Sequence, residues 1–192
     1  MKPLYVKEHH GRSGVRRYVV GGALFTIVCL GFGFVAITIF ANYTPTKWLV
    51  KEGMLAPEFA VVDIDGNEMK LEDFVGKYVL LDFWHTRCQP CLEDTPQLKA
   101  IHRSHRDSLF IIGLSVDSQK ARVVEYVQDQ SIEWLQVLDL VDNEGLVNEL
   151  YAVPYYPTYY LINYKGRVVL KGPHILEQIQ YKGLRNDYSS WF

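Results

Sequence analysis

An apolar, partly β-branched run, Tyr78-Val79-Leu80-Leu81, leads through Asp82-Phe83-Trp84 and His85-Thr86-Arg87 into the motif Cys88-Gln89-Pro90-Cys91. The run predicts a strand. Leu92, Leu98 and Ile101 beyond it fall roughly at helical spacing, which predicts a helix. The two cysteines therefore stand where a strand hands over to a helix N-terminus. There they meet unpaired backbone N–H groups and the positive end of the helix dipole. Both favour thiolate over thiol, and the thiolate is the nucleophile of disulfide exchange. Two intervening residues let a disulfide close across one helical turn. Pro90 lies early in the helix, where a missing N–H does little harm.

Only Cys29, Cys88 and Cys91 are present, too few for a disulfide-stapled scaffold, so the pair is expected to react rather than reinforce. The formal net charge of −2 gives no sign of a nucleic-acid partner. Charge is unevenly placed: residues 1–17 carry five basic side chains against one acidic one. After them, Val19 to Ala41 runs for 23 residues without a charge. About 20 apolar residues cross a bilayer, so a single transmembrane helix is expected over 18–41. A cleaved signal peptide is the main alternative; the run is longer than a usual signal core, and Ile39-Phe40-Ala41 makes a poor cleavage site. Cys29 then falls within the membrane. The basic flank places the N-terminus inside the cytoplasm and the remainder outside. The expected organisation is a cytoplasmic tail (1–17), a membrane anchor (18–41), a tether (42–52), one folded domain (53–184) and a C-terminal tail (185–192).

Within the domain, the segments either side of Asp63-Ile64-Asp65-Gly66-Asn67 predict a hairpin. Strands follow from Tyr78, ending at Asp82, and at Leu109 to Val116 and Trp134 to Leu138. Helices are expected at Ser118 to Gln130, with Ser118 as N-cap, and at Asn143 to Tyr151. Tyr159 to Ile162 and Val168 to Leu170 predict a second hairpin, and Ile175 to Gly183 a last helix. Strands alternating with helices give an α/β domain, a mixed central sheet flanked by helices.

These residues resemble a known family. Asp82-Phe83-Trp84, Cys88-x-Pro90-Cys91, Tyr151-Ala152-Val153 and Pro157-Thr158 resemble the thioredoxin superfamily. Ala56-Pro57-Glu58-Phe59, Asp65-Gly66 and Gly76-Lys77 resemble its membrane-anchored branch, the TlpA/ResA-like thiol–disulfide oxidoreductases. The resemblance implies a thioredoxin-like fold with an N-terminal β-hairpin and one inserted helix–strand unit, about Ser118 to Leu138. It implies that Pro157 is the cis-proline opposite the dithiol, exposing the backbone of Tyr156 to a substrate segment. It makes Trp84 the aromatic of the substrate site beneath the active loop. It also matches Asp82 to the buried aspartate that assists the second cysteine. Some relatives are expected to use a glutamate in the preceding hairpin instead; the matching position here is Val62.

Cys88, first in the motif, is expected to be the exposed attacking thiol, with Cys91 facing inward to resolve the mixed disulfide. Asp82, among apolar neighbours, is expected to be buried with a raised pKa and ready for proton transfer; an Asp that meets water at the strand end is the alternative. Arg87 stands beside Cys88, either favouring its thiolate or simply solvated. Tyr155, Tyr156, Tyr159 and Tyr160 line a client groove or belong to core and surface packing. A zinc site with His102 and His105 has the wrong spacing. No bound cofactor is expected beyond the redox-active disulfide Cys88–Cys91. The expected activity is thiol–disulfide exchange with protein clients at the outer face of the inner membrane. The motif leaves its direction open. The resemblance points to a reductant, for apocytochrome c or another extracytoplasmic client, fed by a membrane thiol donor. Two rival readings are a peroxiredoxin-like peroxidase and a binding module with a structural dithiol. The first needs Pro-x-x-x-Thr-x-x-Cys, and Thr86 has no such proline before it.

Overall fold

No side chain between Tyr78 and Trp84 is exposed, so this strand runs through the middle of the protein with both faces covered. The computed structural model describes residues 24–30, 33–39 and 50–185. The tail 1–17, residues 18–23 of the expected anchor, most of the tether and residues 186–192 lie outside the described residues. The chain divides into two compact units, with Val50 onward in one of them.

In the N-terminal unit, β1 (Leu24–Leu30) pairs antiparallel with β2 (Gly33–Ile39), from Leu24↔Ile39 to Leu30↔Gly33. A membrane-spanning helix is expected over this stretch and is not found. Among the described residues, no helix is long and apolar enough to cross a membrane. The stretch is rich in β-branched residues, including Thr26, Ile27, Val28, Val35, Ile37, Thr38 and Ile39, which suit a pleated strand.

From Val50 the chain forms β3 (Ala60–Val62), β4 (Glu68–Lys70) and a 3₁₀ turn (Leu71–Phe74), then β5 (Tyr78–Trp84), α1 (Gln89–Ser104) and β6 (Leu109–Ser115). Next come α2 (Lys120–Asp129), β7 (Leu135–Leu138), α3 (Asp139–Asp142), α4 (Leu146–Leu150), β8 (Thr158–Ile162), β9 (Val168–Gly172) and α5 (Ile175–Lys182). The main sheet has the order β7-β6-β5-β8-β9. Strands β5, β6 and β7 are parallel; β8 is antiparallel to β5, and β9 to β8. This is the expected thioredoxin-like mixed sheet with its inserted α2–β7 unit.

Alternation along β5 separates two cores. Val79, Leu81 and Phe83 pack with Phe59, Val61, Tyr151 and Tyr160. Leu80 packs with Leu98 and Ile101 of α1 and Ile175 and Ile179 of α5. Asp82 and Trp84 share the face of Leu80, so the strand aims them at α1. Tyr159 and Tyr160 are 0% and 1% exposed, which removes them from any client groove.

Both sheet edges are covered, which blocks edge-to-edge pairing. Along β9, Gly53 N–H donates to the Val168 carbonyl, and Lys171 Nζ reaches the Val50 carbonyl at 2.7 Å. Val50, placed in the expected tether, is 2% exposed and belongs to the core. Along β7, the β3–β4 hairpin joins through an Asp63↔Val137 bridge and Ile64 N–H to the Gln136 carbonyl at 2.9 Å. Val62, on that hairpin, is tied by its backbone to Asn143, at 2.8 and 3.0 Å.

Two helices differ from expectation. α2 begins at Lys120 with Gln119 as N-cap and no side-chain cap bond, so Ser118 does not start it. The helix expected over Asn143 to Tyr151 is shortened to α4, Leu146–Leu150, with α3 ending just before the expected start. Glu144 and Gly145 take left-handed φ of 58° and 72°, which no helix continues through. The buried Asp139 carboxylate holds the first turn of α4, accepting Val147 N–H at 3.0 Å and Asn148 N–H at 2.8 Å.

Candidate active site

Cys88 is the N-cap of α1, in extended conformation. Its Sγ accepts the Cys91 N–H at 3.2 Å, one of the donors that a helix start leaves free. Cys88 and Cys91 are joined in a disulfide with Cα atoms 5.2 Å apart. Their exposures are 6% and 4%. Cys88 is therefore not the open thiol expected: in the disulfide state Trp84, Val123 and Leu138 surround the pair, and Tyr156 packs against it.

The loop from β5 to α1 is held from below by Asp117, a residue that sequence reasoning missed. Asp117, 5% exposed just beyond β6, accepts Thr86 N–H at 2.8 Å and Thr86 Oγ1–H at 2.7 Å. Ser115 Oγ donates to it at 2.9 Å. Nothing in the spacing of Thr86 and Asp117 signals this contact; the parallel pairing of β5 with β6 creates it. Two further bonds shape the loop: Cys88 N–H donates to the His85 carbonyl at 3.0 Å, and Arg87 N–H to His85 Nδ1 at 3.2 Å. The Arg87 side chain is exposed.

On β5, six residues before Cys88, Asp82 is 5% exposed, so it does not meet water at the strand end. Burial, and second the Asp94 charge, push its pKa up to about 8. Its Oδ1 is buried without a hydrogen-bond partner among the described residues. A protonated carboxyl makes that position far less costly than a charged one would be. Asp94 is a second residue missed in the sequence. It sits on α1 three positions after Cys91 and accepts the Tyr159 hydroxyl at 2.8 Å. Burial, with Asp82 and Asp94 beside it, pushes the Tyr159 phenol far up, so it stays a donor.

Trp84, 4% exposed, packs in one apolar cluster with the disulfide. Its ring meets Tyr126 at 5.4 Å, and the Tyr126 hydroxyl is 2.8 Å from Thr95 Oγ1 on α1. The Tyr156–Pro157 peptide is cis, at the same sheet end as the disulfide, because β8 runs antiparallel to β5. Tyr156 is half-buried. Its ring meets His85 edge-on at 5.3 Å, and its hydroxyl donates to Asn148 Oδ1 at 2.7 Å. Tyr155, at 52% exposure, stands at the rim. Among the described residues no group of three or more His, Cys, Asp or Glu side chains is placed to hold a metal ion. His102 packs on Trp134 at 5.7 Å, and His105 Nδ1 lies 3.3 Å from the Ile101 carbonyl.

The AhpC/TSA family model matches residues 53–171, more than half of the chain. The chain belongs to the AhpC/TSA family. Within it, the chain is 30% identical over 162 residues to the thiol-disulfide oxidoreductase ResA of Bacillus cereus (strain ATCC 10987 / NRS 248), covering 82% of this chain and 92% of that one. It is 27% identical to the thioredoxin-like protein YneN of Bacillus subtilis (strain 168), covering 84% and 91%. Among solved structures, the thioredoxin domain of a thiol-disulfide oxidoreductase from Bacteroides vulgatus superposes with a TM-score of 0.62 at 29% identity, covering 70% of this chain and 99% of that one. A thiol:disulfide interchange protein from Bacteroides sp. gives 0.59 at 28%, covering 68% and 89%. With the Cys88–Cys91 pair in place, this AhpC/TSA-family protein is a thiol–disulfide oxidoreductase.

The site offers a disulfide, a buried carboxyl with a raised pKa and a rim. In this AhpC/TSA-family protein the Thr86 hydroxyl is spent on Asp117 rather than directed at Cys88.

Proposed function

We propose that the protein reduces disulfides of protein clients outside the cytoplasmic membrane, with Cys88 attacking, Cys91 resolving and Asp82 carrying the proton. One observation carries this reading: a Cys88–Cys91 pair at a helix N-terminus, with a buried carboxyl whose pKa is near 8 on the strand that leads into it. In the reduced protein, the Cys88 thiolate attacks a client disulfide and one client sulfur leaves as thiolate. Cys91 gives its proton to ionised Asp82 and attacks the Cys88 sulfur. The second client thiolate leaves, and the enzyme disulfide forms with two electrons passed to the client. In re-reduction the same carboxyl, now protonated, returns the proton to Cys91 as its sulfur leaves. A pKa near the working pH suits both directions.

Residues near the cis peptide, Tyr156 and Pro157, supply the client's docking edge. The uncharged run 19–41 behind its basic flank supports an anchor, with the N-terminus in the cytoplasm, the domain outside and a membrane thiol donor as electron source. An open two-stranded hairpin leaves backbone groups unsatisfied in hydrocarbon, whereas a helix satisfies them. Membrane insertion therefore requires the run to become helical. Apocytochrome c is the client class favoured by likeness to the ResA proteins.

Cys91→Ser in the full chain tests the chemistry: client mixed disulfides on Cys88 accumulate and are identified by mass spectrometry. Absence of such adducts, together with no turnover of insulin disulfides by the parent, overturns the reading. A reporter that works only outside the cytoplasm, fused after Phe192, tests the orientation. A mature N-terminus near Asn42 overturns the anchor.

A further inference from the structure

Asp82, Gly113 and Gln136 stand side by side on three neighbouring strands, through the registers Asp82↔Gly113 and Gly113↔Gln136. Register partners in a parallel sheet share a face, and here that face is turned to α1. The middle position has no side chain, and the Gln136 amide lies in the gap. A Cβ on Gly113 would stand 2.3 Å from Gln136 Oε1 and 2.6 Å from Nε2. From this slot Oε1 accepts the Trp84 indole N–H at 3.2 Å, with both residues buried. A buried indole N–H needs an acceptor, and a buried amide is costly without a partner. The ring also meets Tyr126, whose hydroxyl is hydrogen-bonded to Thr95 on α1.

We propose that Gln136 is a positioning residue for the dithiol reaction, acting through Trp84, whose ring it orients beneath Cys88 and Cys91. The proposal rests on the disulfide-exchange reading. A tilted indole changes how closely the pair is packed and desolvated, which acts differently on a disulfide and on a thiol–thiolate pair. Gln136 thereby bears on the balance between the two redox states.

Two variants of the full chain in detergent test it. Gln136→Met removes the acceptor. Gly113→Ala pushes the far end of a flexible side chain, so the strand remains and the amide leaves the indole. The expected result in both is a displaced Trp84 indole N–H resonance and a change of at least about threefold in the dithiol–disulfide equilibrium constant against glutathione. That is about 14 mV, at 29.6 mV per tenfold. In a Trp84→Phe background Gln136→Met leaves the constant unchanged. A constant that stays at the parent value while the melting temperature falls overturns the proposal, because the role is then structural only. An equal change in the Trp84→Phe background also overturns it. The glutathione equilibrium needs no client, so failed insulin turnover overturns the proposed function and leaves this test standing.

Discussion

The Tyr159 hydroxyl donates to the Asp94 carboxylate at 2.8 Å, and Tyr159 is also the cross-strand partner of Asp82. A phenol thus links the acid on α1 to the face of the sheet that holds the buried carboxyl. Asp94 is the second cause of the raised Asp82 pKa, after burial. Asp94→Asn removes the like charge, so the Asp82 midpoint is expected to fall below about 8. It stays above the usual carboxylate range, because burial remains. Carbon-13 titration of the Asp82 carboxyl checks this, and an unmoved midpoint refutes the coupling.

Stability carries the same signature. In the fold the Asp82 pKa rises from 3.8 to about 8. Between those values the folded chain keeps a proton that the unfolded chain has released, so stability falls as pH rises through this window and is level outside it. Asp82→Asn abolishes that slope. The variant is expected to exceed the parent by about 2–4 kcal/mol at pH 7 and by little near pH 4. Urea melts at several pH values decide; a constant difference across them contradicts the raised pKa.

In catalysis the same variant works in the opposite sense. Asp82→Asn keeps the shape and removes the proton acceptor, so resolution by Cys91 is expected to slow by about 10²-fold. The first attack by Cys88 is left nearly intact. The parent's resolution rate rises as pH approaches about 8, where Asp82 ionises, and the variant loses that rise. Stopped-flow measurement of mixed-disulfide decay separates the steps. Equal decay in both proteins would make Asp82 purely structural.

Asp117 supports the active loop by accepting from Thr86 twice and from Ser115 once. Asp117→Ala strands these donors and is expected to cost about 3 kcal/mol, since bonds to a charged acceptor are worth about 1.5–3 kcal/mol. Thr86→Val is expected to cost about 1 kcal/mol, and the double variant less than the two together. Denaturant melts measure the coupling. Strict additivity would show that the pair does not act as one unit.

Local sequence determined the elements that carry the chemistry. The apolar β5 run, the Cys-x-x-Cys at the start of α1 and the two hairpins need only neighbouring residues to form, and all are found where pattern places them. Burial of Asp82 was also legible, because it interrupts a strand whose other side chains are apolar. The late start of the helix expected over 143–151 was not: Glu144 and Gly145 adopt left-handed backbone, and Asp139, several residues earlier, accepts from the first turn of α4. The partners of the site were equally hidden. Thr86 and Asp117 are 31 residues apart, Trp84 and Gln136 are 52 apart, and Asp94 and Tyr159 are 65 apart. Each pair meets because sheet register sets distant strands side by side and α1 crosses over them. Sequence spacing reports what one element presents along its own axis, and only the packed sheet decides which elements face each other.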